Sequence, residues 1–287
     1  MQRRRFFRTA AGTAVTLGQF PYHLFAGETK KSGIDRVTLG PKKIVLSRLA
    51  QGSGTNGTGG SSNQTKKLGV EGLADLFRAG YDQGINFFDS ADQYGTHPHV
   101  ARALTTVPRD KVVLLSKSRA STAAEMRADL DRFRRELKTD YIDILLLHCM
   151  IDKDWNVKKR GAMDVLEEAQ AKGIIRTKGV SCHTLEALKT AAAEPWVEVD
   201  LARLNPAQAA MDADPNTVIG VLKEMKAAGK GVIGMKILGA GKLRRNVDEA
   251  LQFALAQDVL DCFTIGSESR AEMEDLLRKI PAASVRG

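Results

Sequence analysis

The chain has 287 residues, of which 43% are apolar, and this composition excludes global disorder and allows one large domain. Four of the positive charges behind the formal net charge of +9 lie at Arg3, Arg4, Arg5 and Arg8, so the remainder is only mildly basic. No stripe of Lys and Arg with interleaved aromatic residues follows, which argues against a nucleic-acid groove.

The N-terminus has the order of an export signal. The arginine-rich residues 3–8, which include two phenylalanines, precede an uncharged, weakly apolar segment at 9–18, and this order resembles a twin-arginine signal. We expect residues 1–30 to be a leader cleaved after Ala26, with the twin-arginine export machinery as a partner and a periplasmic or exported location. The alternative is a basic disordered tail. No run of about 20 apolar residues follows, so no stable membrane anchor is predicted.

From residue 36 onward, short apolar runs typical of strands alternate with helical patterns. The predicted strands are 44–49, 86–88, 112–115, 142–147, 174–180, 200–204, 231–235 and 262–266. The predicted helices are 73–80, 99–104, 126–137, 163–171, 185–193, 215–229, 247–256 and 270–280. The Gly- and Ser-rich stretch 51–62 is interpreted as a flexible loop, and it is not a P-loop because no Gly-Lys-Ser/Thr follows.

Eight strands that are apolar almost throughout must be buried on both faces. Their alternation with helices predicts an α/β fold, a single-domain (β/α)8 TIM barrel over residues 36–287. The alternative fold, a doubly wound sheet, would carry a GxGxxG motif at its first strand–helix turn, and that form of the motif is missing.

Four polar residues stand at or just beyond the carboxyl ends of three successive predicted strands. Asp89 ends one strand and Tyr94 follows on the next turn, Lys117 ends the next strand, and His148 ends the one after it. Taken alone, each residue is more readily explained as a cap, a solvated side chain or a packing ring than as a catalytic group. Because barrel enzymes carry their chemistry at this end of the strands, the four together predict a catalytic centre.

The four side chains make chemical sense as one acid. A phenol has a pKa of about 10, too high for efficient proton exchange near neutrality. We expect the ammonium of Lys117 to lower the pKa of Tyr94, and Asp89 to keep Lys117 charged and oriented. His148 is expected to donate a hydrogen bond to a carbonyl oxygen. The result is a proton donor for a carbonyl that receives hydride from a nicotinamide.

Over residues 36–280 the sequence resembles the aldo-keto reductase family. The resemblance rests on GINFFDSADQYG at 84–95, LLSK at 114–117 and DILLLH at 143–148, which match the Asp, Tyr, Lys and His of that family in order and spacing. It implies an NAD(P)-dependent oxidoreductase for a small-molecule carbonyl or alcohol substrate. Two hypotheses compete with it: an NAD(P)H-binding sensor or accessory protein with little turnover, and a barrel isomerase or epimerase.

The same resemblance implies the cofactor site, with Ser181 bonded to the nicotinamide carboxamide. The other residues implied to lie under the pyrophosphate or beside the adenosine are Gly239, Gly241, Lys242, Gly266, Ser267 and Arg270. Glu272 stands where NADPH-specific members have Arg or Gln, and its carboxylate would repel a 2′-phosphate. NADP is therefore the default cofactor with NAD as the alternative, and Arg270 is a candidate to offset Glu272.

Several residues depart from the family pattern. His97-Pro98-His99 stands where a Glu is common, and Cys182 follows Ser181 where Asn is common. We expect the pocket to be open or covered by loops 52–67 and 149–160, with Trp155 as a candidate wall. The three cysteines lack CxxC spacing, so no metal site is predicted, although pairing of Cys149 with Cys182 stays open.

Overall fold

A computed structural model describes residues 30–284, so nearly all of the predicted leader lies outside the described residues. The strands are β1 (Arg36–Leu39), β2 (Ile44–Ser47), β3 (Leu49–Gly52), β4 (Phe87–Asp89), β5 (Val113–Ser118), β6 (Ile142–Met150), β7 (Ile175–Cys182), β8 (Val199–Arg203), β9 (Gly231–Met235) and β10 (Cys262–Ile265). The helices are α1 (Asn63–Asp82), α2 (His97–Ala103), α3 (Ala123–Leu137), α4 (Trp155–Lys158), α5 (Arg160–Ala171), α6 (Leu185–Ala193), α7 (Pro215–Ala227), α8 (Val247–Leu255) and α9 (Arg270–Ala283).

The strands β3 to β10 close into a parallel barrel in which each strand pairs with its sequence neighbours and β10 pairs with β3. Alternate side chains point inward and outward. Phe87, Leu115 and Ile144 belong to the inner cluster, whereas Phe88 and Leu145 pack under the helices. The prediction of a single-domain (β/α)8 barrel is confirmed.

The strands β1 and β2 form an antiparallel hairpin outside the barrel. Leu46 joins the inner apolar cluster, and the turn at Gly40 lies against Gly231 at the start of β9, so the hairpin covers the amino-terminal end of the barrel. The prediction that residues 44–49 form the first barrel strand is wrong, because that strand is β3. Val45 is exposed between two buried neighbours. This alternation is typical of a strand with one face in solvent, whereas a barrel strand is buried on both faces.

Helix α1 begins well before its predicted start at residue 73. Ser62 accepts a hydrogen bond from the backbone N–H of Thr65, and the Thr65 hydroxyl accepts one from the backbone N–H of Ser62, which forms a capping box. The glycine-rich segment before the helix is therefore fixed at both ends, by β3 and by this cap. Among residues 30–284, no helix combines the length and the apolar character needed to cross a bilayer.

Candidate active site

The carboxyl ends of the barrel strands surround a cavity of about 910 Å³, the size range of small-molecule and cofactor sites. Tyr94 and His148 line one part of it, and Glu272 and Lys279 of α9 line another. We call these two parts the tyrosine end and the α9 end. The chemistry of a barrel of this kind is concentrated at this face.

A buried ion pair lies at the base of the tyrosine end. Lys117 donates from Nζ to a carboxylate oxygen of Asp89 and, over 2.8 Å, to the carbonyl of Ser90. The second oxygen of Asp89 accepts a hydrogen bond of 2.7 Å from Thr264. Burial by itself lowers the pKa of Lys117, but Asp89 and Tyr94 outweigh that effect and raise it above its ordinary value. The lysine is therefore held as an ammonium.

The Tyr94 ring is held between the ion pair and a glycine turn. Nζ of Lys117 lies 4.9 Å from the ring centre, and the ring of His148 meets it edge to face with 5.6 Å between centres. A Cβ added at Gly54 or Gly57 would overlap carbons of the tyrosine ring. The interpretation of this segment as a flexible loop misses its role, since only residues without side chains can pack here.

The pKa of Tyr94 is raised above its ordinary value of 10.0, in contrast to the net lowering expected from the sequence. Burial is the largest cause, the ammonium of Lys117 opposes it, and the carboxylate of Asp89 adds to the rise. The lysine thus acts in the predicted direction but does not outweigh desolvation. The phenol therefore keeps its proton throughout the neutral range, and the adjacent ammonium stabilises the phenolate that proton donation leaves.

His148 is a neutral imidazole in this setting. Burial, followed by the positive charge of Lys117, holds its pKa well below the ordinary value of 6.5. Its Nδ1 is buried and has no hydrogen-bond partner among the residues that the structure describes. A neutral ring has one N–H to donate, and its position beside Tyr94 allows that donor to face a carbonyl oxygen.

The predicted cofactor residues fall into two groups. Those that line the cavity are Gly241, Gly266, Ser267 and Glu272. Ser181 is buried at the end of β7, and its hydroxyl oxygen accepts the backbone N–H of Cys149 over 2.9 Å. Ser181 is therefore engaged in holding the end of β6.

Three other predicted cofactor residues lie outside the cavity lining. Gly239 is buried beneath the turn that follows β9, and Lys242 is exposed. Arg270 is exposed as well, and its Nε donates to Glu274 of the same helix over 2.8 Å. Arg270 thus pairs with Glu274 in this structure, and the expectation that it offsets the charge of Glu272 stays a prediction.

Residues that the sequence pattern does not predict also hold or surround the site. Ser53 donates from its hydroxyl to the carbonyl of Asp89 over 2.8 Å, and Thr264 binds the same residue's carboxylate. His183 and Lys236 line the cavity at the ends of β7 and β9. Each comes directly after the carboxyl end of a barrel strand, and this position is the signal that could identify them from the sequence.

The residues that depart from the family pattern at 97–99 lie behind the site. His97 is buried, with its ring nitrogens 2.7 Å from Glu136 and 2.7 Å from Ser116, the residue before Lys117. It does not line the cavity, so it packs the turn rather than meeting a ligand there. Arg132 donates to both Asp92 and Glu136, which makes the acidic groups beside His97 parts of a salt-bridge network.

Loop 149–160 contributes little to the cavity, with Cys149 lining it. Trp155 is buried and donates from Nε1 to the carbonyl of Ala187 over 3.2 Å, so it packs against α6 instead of forming a wall. Cys149, Cys182 and Cys262 are free thiols, and no disulfide joins the first two.

Comparison with known proteins shows that most of the chain matches one family. The model of the Aldo/keto reductase family matches residues 52–280. Aldo-keto reductase YhdN of Bacillus subtilis is 29% identical over 163 residues, which are 51% of this chain and 46% of the relative. Methylglyoxal reductase YeaE of Escherichia coli is 34% identical over 145 residues, 48% of this chain and 46% of the relative. The chain thus spans less than half the length of the curated relatives it matches.

Solved structures share the fold. An aldo-keto reductase structure from Pseudomonas aeruginosa aligns with a TM-score of 0.72 at 20% identity, over 90% of this chain and 99% of that one. An aldo/keto reductase of Klebsiella pneumoniae in complex with NADP and acetate aligns with a TM-score of 0.66 at 20% identity, over 86% of this chain and 90% of that one. At this identity the likeness shows the barrel and its topology.

Proposed function

The chain belongs to the aldo/keto reductase family, and we propose that it reduces an aldehyde or ketone, or oxidises the alcohol, by hydride transfer with NADPH or NADH. The observation that carries the proposal is the tyrosine end of the cavity. There Tyr94 lies against a buried Asp89–Lys117 ion pair and beside the neutral ring of His148. The relative named methylglyoxal reductase and the NADP-bound structure from Klebsiella pneumoniae are consistent with small carbonyl substrates and this cofactor.

The cavity suits a nicotinamide dinucleotide. Gly241 lines it with a positive φ of 90° and nothing within 4 Å of the place where a Cβ would stand, which leaves its backbone open to a phosphate. Ser267 and Glu272 line the α9 end, where they offer hydrogen-bond partners to a ribose. When bound, the dinucleotide supplies or accepts the hydride.

The chain's own groups handle the proton. Tyr94 donates its proton to the carbonyl oxygen as negative charge develops there, and Lys117 stabilises the phenolate that remains. Asp89 keeps Lys117 charged in a site where burial alone would favour the neutral amine. His148 donates a hydrogen bond that positions the carbonyl oxygen. In the opposite direction, the Tyr94 phenolate accepts the proton of an alcohol.

The proposal is tested by separating cofactor binding from turnover. NADPH and NADH are titrated into the purified protein by fluorescence, and a panel of aldehydes and ketones is assayed with the wild type and Tyr94→Phe. We expect both proteins to bind cofactor with similar affinity, and turnover to fall by about 10²–10⁴-fold in the variant. Tight binding without Tyr94-dependent turnover would support a sensor or accessory protein and contradict the reductase.

We also propose that the chain is exported through the twin-arginine route. The arginine-rich residues 3–8 and the uncharged segment 9–18 support this, and both lie outside the described residues. Replacement of Arg3 and Arg4 by Lys is expected to retain the protein in the cytoplasm in a cell-fractionation assay. Equal export of the variant and the wild type would contradict the proposal.

A further inference from the structure

We propose that Lys236 binds an anionic group of the substrate, a carboxylate or phosphate, while Tyr94 protonates the substrate's carbonyl oxygen. The inference rests on the proposed reductase function and adds the chemical class of the substrate to it. It is carried by a lysine that lines the cavity and whose ammonium has no counterion among the described residues.

The backbone fixes Lys236 in the cavity wall. The residue follows β9 and has a φ of 57°, a conformation that side-chain-bearing residues seldom adopt. Its carbonyl oxygen accepts the backbone N–H of Gly239 over 2.7 Å and a side-chain N–H of Asn205 over 3.1 Å. These bonds hold a strained turn, and the turn places the lysine side chain along the cavity rather than on the outer surface.

The ammonium of Lys236 has no hydrogen bond or ion pair with any residue in the range 30–284, and Asp89, the acid whose charge acts on it, is engaged. Both carboxylate oxygens of Asp89 are occupied, one by Lys117 and the other by Thr264. Asp212 pairs with Arg203, which donates to it from Nε over 3.0 Å. A half-buried charge without a partner gains from any anion that can reach it.

The charges around Lys236 also favour binding of an anion. Burial, followed by the charges of Arg203 and Lys117, lowers the pKa of Lys236, as expected for a cation in a positive setting. The neighbouring His183 has a pKa lowered to about 4, first by burial and then by Arg203 and Lys236. His183 is therefore neutral and can donate to an anion without repelling it.

The position of Lys236 favours substrate over cofactor as the source of the anion. Its charge acts on His148 and His183, at the ends of β6 and β7, and is itself influenced by Asp89. These residues belong to the tyrosine end. Three of the acids that line the cavity lie at the α9 end and would not attract an anion there: Glu268, Glu272 and Asp275. The fourth lining acid, Asp89, is paired with Lys117. The phosphates of a dinucleotide have the same chemistry as the proposed ligand, so the test must separate the two.

The test uses two aldehydes of nearly equal shape, 4-formylbenzoate and its neutral counterpart 4-formylbenzamide. We expect the wild type to prefer the carboxylate, and Lys236→Met to lose about tenfold or more in kcat/KM for it, mostly through KM, because one charge-assisted bond is removed. The carboxamide and the dissociation constant of NADPH should change less than about threefold. Lys236→Arg should retain the preference, and Lys223→Met, an exposed lysine on α7, serves as the control.

Binding of benzoate measured by calorimetry gives a readout that needs no turnover, and it should weaken in Lys236→Met but not in Lys223→Met. Equal use of both aldehydes by the wild type would overturn the inference and leave the reductase function standing. Equal losses for both aldehydes together with weaker NADPH binding would also overturn it, because Lys236 would then serve the cofactor. A wild type that binds benzoate but reduces neither aldehyde in a Tyr94-dependent way would instead contradict the proposed function.

Discussion

Two buried aspartates lie on opposite sides of the barrel wall. Asp89 ends β4 with its side chain inward, and Lys117 and Thr264 bind its two carboxylate oxygens. Asp200 lies in β8 between Val199 and Leu201 of the inner cluster, so its side chain points outward under the helices. Neither of its oxygens has a hydrogen-bond partner of ordinary geometry within the described part of the chain.

The difference shows that partners, rather than burial, decide what a buried acid does. Burial raises the pKa of Asp200 to about 8, and the nearby thiol of Cys182 opposes the rise only in part. At neutral pH the folded protein therefore holds Asp200 as a neutral acid. Asp89 in contrast faces an ammonium and a hydroxyl, and that arrangement keeps Lys117 charged for Tyr94. Asp89 thus organises the site, whereas Asp200 lowers the stability of the folded protein as the pH rises.

Removal of the charge at Asp89 should produce the largest effect. In Asp89→Asn the buried ammonium of Lys117 loses its counterion, so it no longer supports a phenolate on Tyr94. We expect kcat to fall about 10²–10³-fold, and the free energy of unfolding to fall by about 3–5 kcal/mol. Steady-state kinetics and chemical denaturation measure the two quantities. A kcat of the variant within threefold of the wild-type value would contradict a role for Asp89 in proton transfer.

The equivalent change at Asp200 should act in the opposite direction. Folding takes up a proton at Asp200 between its ordinary pKa of 3.8 and its folded pKa of about 8, so wild-type stability falls as the pH rises through that interval. Asp200→Asn has no such proton uptake. We expect the stability of the variant relative to wild type to increase by up to about 3–4 kcal/mol between about pH 5 and pH 8.

Thermal or urea unfolding across this pH range measures the difference, and kcat should stay within about twofold because Asp200 does not line the cavity. A difference in stability that is constant with pH would show that Asp200 is charged or partnered in the folded protein.

A third carboxylate, Glu272 at the exposed α9 end, should give the smallest effect. It lines the cavity, and a 2′-phosphate nearby would meet its charge in partly aqueous surroundings. Glu272→Gln should lower the dissociation constant of NADPH by about two- to fivefold and leave that of NADH nearly unchanged. Glu274→Gln on the same helix, where Glu274 pairs with Arg270, is the matched control. Equal responses to both cofactors would place the 2′-position elsewhere.

The two aspartates also mark how far the sequence could predict the molecule. The sequence predicts Asp89 as a site residue because it ends a short apolar strand and precedes Tyr94 on a turn, and both features are local in sequence. The fate of Asp200 depends on the face to which it points and on what the helices bring near it. Those contacts are made between distant parts of the chain, so no local pattern reports them.

The same limit explains the other differences from expectation. The hairpin β1–β2 and a barrel strand share the same short apolar composition, and only pairing partners distinguish them. The packing of Gly54 and Gly57 on Tyr94 joins segments far apart in sequence. The sign of the pKa shift of Tyr94 depends on the balance between burial and charge, which the identity of the neighbours alone does not give. Seven of the eight barrel strands, β4 to β10, and the polar residues at their carboxyl ends are predictable because each is encoded locally.

The central claim is that Tyr94 and Lys117 act as one proton-donating unit, and a double-mutant cycle tests it most directly. Single-turnover rates of hydride transfer are measured for the wild type, Tyr94→Phe, Lys117→Met and the double variant, with cofactor saturating. Each single variant should lose about 10²–10⁴-fold, and the double variant should be no slower than the slower single variant within about threefold, because either change disables the same step. Losses that multiply in the double variant would show independent roles and contradict the account.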